Sequence, residues 1–296
     1  MAKMLSKQNI ETHIGSEVKL RKRLWDLEQV EEYFISKCKK AKIEYSHDCT
    51  ADENTYFKTL NYTTYAGLFI MHPLSFAHMM FQMYDAKADN LSSAGHIEWV
   101  AENLKQKQAG KYTDGSGQEL HTRNYSDFTH LAVLAGSNKF FEHTSKKKYD
   151  IICKRHGSKL LLKPHPITNT KVMGEIFDSK GDAQMATRKD NLYELMEKAD
   201  TVYTTHISET ALTALLMGKK ISPLDPWGRR LMGSFSHINH FCFSEEDPVN
   251  TLKSIFASPK SGVIHPSIDK DWKGKVDQYF DYILSKRQMQ KGYYFE

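Results

Sequence analysis

Cysteine is scarce in this chain and scattered. Cys38, Cys49, Cys153 and Cys242 form no Cys-x-x-Cys pair, which argues against a disulfide framework and for reduced thiols in a cytoplasm. Long apolar runs are missing too. No stretch approaches the roughly 18 consecutive apolar residues of a bilayer span, so no stable membrane insertion is expected. The opening Met1-Ala2-Lys3-Met4-Leu5-Ser6-Lys7 has no apolar core of a secretion signal, which again favours a cytoplasmic protein. The fourteen histidines do not fall at metal-ligand spacing. A G-x-S-x-G turn, a P-loop and a G-x-G-x-x-G are absent, so hydrolase, ATPase and dehydrogenase chemistries have little support.

What is present is ordinary in bulk. The 296 residues are 40% hydrophobic and 26% charged, enough for one large or two modest domains. The formal net charge of +5 gives a mild bias toward anionic partners. Basic residues gather at Lys19–Arg23, Lys37–Lys42, Lys146–Lys148 and Arg229-Arg230. Most such short runs are solvated surface.

Periodicity divides the chain. Leu20, Leu24, Leu27, Val30, Phe34 and Cys38 recur at helical spacing and predict one amphipathic helix over 16–41. Short strands are expected at 43–45 and 67–71, helices at 75–84 and 92–108, and a polar loop over 110–127. From residue 128 the pattern becomes regular. Strands are expected at 130–135 (ending in Gly136-Ser137-Asn138), 160–163, 201–204 and 220–223. They alternate with helices at 145–156, 191–199 and 209–217, and a last helix is expected at 271–288. Strand–helix alternation implies an α/β fold with a parallel sheet.

Two strand ends carry unusual chemistry. The run Leu160-Leu161-Leu162 stops in Lys163-Pro164-His165-Pro166. The two prolines restrict the backbone and hold the imidazole ready to meet a phosphate oxygen. The second run stops in Thr204-Thr205-His206-Ile207-Ser208-Glu209-Thr210. Its hydroxyls sit where a helix N-terminus would favour an anion. Ligands of open parallel sheets bind outside the carboxyl ends of the strands, so a nucleotide's phosphate and ribose fit this pair. For a lone His-Pro the plain turn is the better reading, and His72-Pro73 and His265-Pro266 show how common the dipeptide is here.

This order of a KPHP strand end, a helix, and a Ser/Thr turn leading into Leu216-Met217-Gly218-Lys219-Lys220-Ile221 resembles the C-terminal half of GT-B glycosyltransferases. It is similar to bacterial sialyltransferases, Kdo transferases and capsule-polysaccharide transferases, over roughly residues 130–225. The resemblance implies a GT-B-like α/β fold, with two Rossmann-like domains facing across a cleft. Residues 1–128 would form the acceptor side, 129–265 the nucleotide-sugar side, and 266–296 a helix returning to the first domain. It implies a nucleotide-sugar as substrate, with a CMP-sugar favoured, and no metal or further cofactor. Lys163, His165, Pro166, Ser208, Glu209 and Thr210 would then contact the donor, with Gly136 and Ser137 beside them. Thr213 stands where related capsule enzymes often carry a glutamate.

Transfer to a hydroxyl needs a carboxylate to take its proton. The sialyltransferases place an acidic pair before a glycine, and Thr113-Asp114-Gly115 keeps only the second acid. Asp114 is the candidate base, with an Asp-Gly turn as the plain alternative and Asp48 and Asp85 behind it. Two acceptors fit. One is hydroxymethylcytosine in DNA, the acceptor of GT-B enzymes of T-even-like bacteriophages. The other is a capsule or lipopolysaccharide glycan. For DNA, Arg229, Arg230 and His72 are the candidate acceptor contacts. A non-catalytic nucleotide-binding protein with a degenerate transferase fold is the third reading.

Overall fold

In the computed structural model of the chain the residues described are 18–20, 27–43, 45–47, 57–60, 68–71, 76–91, 96–107, 112–114, 118, 120–136, 143–166, 168–226 and 236–293. The regular second half builds a five-stranded, wholly parallel sheet. Its strands are β1 (His130–Val133), β2 (Leu160–Lys163), β3 (Gln184–Met185), β4 (Thr201–Thr204) and β5 (Lys220–Pro223). Helices α1 (Lys146–His156), α2 (Thr170–Ser179), α3 (Leu192–Lys198) and α4 (Thr210–Leu216) connect them in turn. In space the order is β5-β4-β1-β2-β3. Read from the other edge this is 3-2-1-4-5, the order of doubly wound sheets. The α/β expectation therefore holds for this part of the chain.

Local sequence explains the helix starts. Ser145 Oγ accepts from the backbone N–H of Lys148 at 3.3 Å, and Asn169 Oδ1 from that of Val172 at 2.9 Å. Such N-caps satisfy donors that the first turn leaves open. After α1 the chain turns at Gly157 with φ +48°, a conformation that costs glycine little. Ala132, Leu134, Leu160 and Leu162 of the sheet region pack with Tyr149, Ile152, Val172 and Ile176 of the helices in one buried cluster. Neither α2 nor β3 is legible in the sequence. The helix buries only Val172 and Ile176, and β3 is two residues long.

A second sheet has four strands and a different character. Tyr45–His47 pairs parallel with Phe57–Leu60, which pairs antiparallel with Leu68–Met71, which pairs antiparallel with Val263–Ile264. The described residues of this part thus form a mixed sheet, unlike the second Rossmann-like domain expected. Beside it, Leu27, Val30, Phe34 and Cys38, on or beside the helix Glu28–Ala41, share a core with Val276, Tyr279, Phe280 and Ile283 of the helix Trp272–Tyr293. Each large side chain so buried contributes about 1.5–3 kcal/mol. Tyr33 also donates to Asp277 at 2.9 Å.

The single helix expected over 16–41 is two elements. Val18–Leu20 is a strand pairing antiparallel with Tyr112–Asp114, and the helix begins only at Glu28. Leu20 shares the helical spacing, but cross-strand pairing decides its conformation. By its contacts the chain divides into two compact units. One comprises Met1–Ser6, Arg23–Val100 and Asp247–Glu296, the other Lys7–Lys22 and Ala101–Glu246. Divisions at 128 and 265, read from the sequence, fall elsewhere because of particular bonds. Thr122 N–H donates to Glu194 Oε2 at 3.0 Å and Tyr125 Oη to Asp190 Oδ2 at 2.6 Å. Lys275 Nζ donates to the carbonyl of Phe256 at 2.8 Å. No helix among the described residues is long and apolar enough to cross a membrane.

Three histidines tie this fold to pH. The rings of His130 and His156 stack with centroids 3.7 Å apart, and His156 Nε2 lies 2.9 Å from Tyr203 Oη. Burial, and for His156 also the charge of its neighbour, holds both below the usual histidine pKa. His237 is 1% exposed, and burial pushes it down to about 3. Below about pH 6.5 the unfolded chain binds protons at these sites that the native chain refuses, so stability falls with pH. Urea unfolding between pH 7 and pH 5 is expected to show a declining midpoint. His237 alone would contribute a slope approaching about 1.4 kcal/mol per pH unit. His156→Gln should flatten the decline. A midpoint rising toward pH 5 would contradict this reading.

Candidate functional site

The strand order decides where a ligand fits. In doubly wound sheets the crevice opens at the carboxyl ends where the order reverses, here between β1 and its neighbour β4. The segments leaving β2 and β4 flank the end of β1. These are the Lys163–Pro166 turn and the Thr204–Thr210 turn, so the topology brings the two singled-out segments to one edge of one sheet.

Within the first turn, Lys163 behaves differently from the expected donor contact. It is 3% exposed, and its ammonium donates to the carbonyls of Pro164 and Arg188, both at 3.1 Å. Burial pushes its pKa down to about 8, opposed by the charge of Asp190. Its work here is to brace the turn that carries His165. The turn closes with Thr168 N–H donating to the His165 carbonyl at 2.9 Å, and Arg188 Nη1 donates to the Thr168 carbonyl at 3.1 Å. His165 and Pro166 are partly exposed. Gly136, just beyond β1, is buried.

The second turn also corrects the sequence reading. The helix after it, expected from 209, starts at Thr210 and has only seven residues, with Glu209 at the N-cap. A helix that short develops little dipole. The Thr210 N–H is already directed at Ser208 Oγ, at 3.3 Å. The end of this helix by itself therefore offers little to an anion. Ser208 and Glu209 are partly exposed and Thr210 is buried. Thr213 is buried and donates its hydroxyl to the Glu209 carbonyl at 3.2 Å.

Three further residues shape this turn. Asn239 Nδ2 donates to the carbonyls of His206 and Ser208 at 2.6 and 2.7 Å. Asp225, just past β5, accepts from the His206 backbone N–H at 2.9 Å and lies 2.7 Å from His206 Nδ1. Lys148 of α1 donates to the Pro223 carbonyl at 3.1 Å. Burial lowers its pKa, against the opposing charge of Asp225. His206 and Asp225 are functional candidates that the sequence reading passed over. The available signal was position alone, since both follow the ends of adjacent parallel strands.

The remaining candidates separate from this edge or fall outside the described residues. Asp114 ends the strand Tyr112–Asp114, opposite Val18, rather than lying in a loop. Asp85 is in the helix Phe76–Ala88 and accepts from Tyr282 Oη at 2.7 Å. Asp48, His72, Ser137, Arg229 and Arg230 lie outside the described residues. The Asp-x-Asp triplet Asp269-Lys270-Asp271 serves the fold. Asp269 accepts from His265 N–H and from Lys275, both at 2.8 Å, and Asp271 Oδ1 accepts from Gly274 N–H at 3.0 Å. Among the described residues no group of His, Cys, Asp and Glu could hold a metal ion.

No protein-family model matches the chain, and no curated protein matches it.

Proposed function

We propose that this protein is a GT-B glycosyltransferase whose second unit binds a nucleotide-sugar. The observation that carries the reading is the 3-2-1-4-5 strand order, which sets the ends of β2 and β4 on either side of β1. In sheets of that order ligands lie across this divide. His165, with Lys163 bracing its turn, is the phosphate contact from one side. The Ser208–Thr210 turn, held by Asn239, is the contact from the other. A CMP-sugar is the favoured donor, on the strength of the two motifs. The first unit, with its mixed sheet, is a departure from the usual pattern of two similar halves.

The proposed reaction is a direct displacement. The acceptor oxygen attacks the anomeric carbon while its proton passes to a carboxylate, for which Asp114 is the candidate. The bond to the donor phosphate breaks, and its electron pair leaves with the nucleotide, inverting the anomeric centre. Hydroxymethylcytosine in DNA is the first acceptor to test and an oligosaccharide the second. Transfer of labelled sugar to only one of them selects between them.

The test of the donor site is His165→Ala. Loss of a charge-assisted phosphate contact is expected to weaken CMP binding by about 1.5–3 kcal/mol, roughly tenfold to a hundredfold. Titration with CMP, UMP and UDP reads both this loss and the base preference. Unchanged affinity and turnover in the variant would remove the motif argument.

A further inference from the structure

The pair His206 and Asp225 is built like an oriented imidazole. Asp225 is 4% exposed. One of its oxygens, Oδ2, receives both the backbone N–H of His206 and the ring nitrogen Nδ1. An ionised carboxylate only accepts, so Nδ1 carries a hydrogen and the ring's tautomer is set. Nε2, on the far side of the ring, is then the free chemical handle. Among the described residues it has no hydrogen-bond partner. The ring packs against Phe243, centroids 4.5 Å apart, and the side chain is 28% exposed. His206 is thus fixed from two sides and open on the third.

Its surroundings carry unmet polar demand. Among the described residues, Thr204 Oγ1 and Asp225 Oδ1 are buried without a hydrogen-bond partner. Both lie at the carboxyl ends of adjacent strands, β4 and β5. Buried polar atoms without partners are uncommon in native proteins and call for an explanation such as a bound group. Among the described residues the charged group against the ring is Asp225, whose charge in turn reaches Lys148 of α1.

We propose that Nε2 of His206 contacts the phosphate of the bound nucleotide, and that Asp225 is the residue positioning it. The inference rests on the nucleotide-sugar reading and adds a third contact to His165 and the Ser208–Thr210 turn. Nε2 donates to a phosphate oxygen when the ring carries its second proton. His206 therefore discriminates a nucleoside monophosphate from the bare nucleoside.

The experiment is calorimetric titration of the full chain with CMP and with cytidine, in wild type, His206→Asn and Asp225→Asn. Asparagine at 206 can keep a bond to Asp225 from its shorter amide while removing Nε2. CMP affinity is expected to fall about tenfold to a hundredfold in His206→Asn, with cytidine affinity changed less than about twofold. Asp225→Asn keeps an acceptor for Nδ1–H but loses the charge. It should lose part of the same CMP-over-cytidine preference, also the readout should His206→Asn fail to fold. If both variants keep the wild-type preference, the pair is only a clamp between two turns. The proposal then falls while nucleotide binding stands. If wild type binds no CMP, UMP, UDP or cytidine, the nucleotide reading itself fails and takes this contact with it.

Discussion

Asp190→Ala is expected to be the most damaging single substitution for stability in the second unit, at about 3–5 kcal/mol. Asp190 is 1% exposed and accepts from Arg123 N–H at 2.9 Å, Tyr125 Oη at 2.6 Å, and Thr187 N–H and Oγ1 at 2.5 and 2.7 Å. Alanine strands these donors together, and each buried donor left without a partner costs about 1–3 kcal/mol. It also removes the opposing charge that supports the buried ammonium of Lys163. Burial pushes the Asp190 carboxyl up, but the bonds from Tyr125, Arg123 and Thr187 outweigh that and hold it below the usual aspartate value. Its folded pKa is depressed, so its contribution is present above about pH 4 and is lost as pH falls through the folded value. Urea unfolding at pH 7 should show the full loss, and the gap between wild type and variant should narrow in acid. A loss under about 1 kcal/mol at pH 7 would mean that the network holds nothing together.

Asp114→Asn is expected to lower turnover of the proposed transfer by about 10²–10⁴-fold, the usual effect of removing a positioned base. The amide is nearly isosteric but does not take the acceptor's proton. Nucleotide affinity should therefore stay near wild type, which separates loss of chemistry from loss of the donor site. Asp114 is the last residue of a strand whose backbone pairs with Val18–Leu20. The measurement is single-turnover transfer from a labelled nucleotide-sugar, with CMP titration alongside. Near-normal rates in the variant would move the search for the base to Asp48, since Asp85 is committed to Tyr282.

Much of the second unit was legible in the sequence, for a physical reason. A strand buried on both faces favours an apolar run, so Leu160–Lys163, buried at every position, shows itself as a short run ended by turn residues, while Thr201–Thr204, buried only at alternate positions, shows itself more faintly. Helices that cover them show their caps, as Ser145 and Asn191 do. The class of fold and the two turns at the strand ends follow from that local grammar. Short elements do not announce themselves this way. Val18–Leu20 looked helical because three residues carry too little periodicity to oppose a long helical phase beside them. Gln184–Met185 is a strand only because β2 offers it partners.

What the sequence determined by itself, then, was the alternation of strand and helix and the two turns bearing His165 and Ser208. The tertiary structure alone decided the order of the strands, which makes those turns neighbours of one crevice. It decided that Lys163 is a brace and not a contact, because a buried ammonium takes the carbonyls within its reach. It also decided that His206 meets Asp225 from nineteen residues away. That contact depends on β4 and β5 lying side by side, and no local pattern encodes which strand will be a strand's neighbour.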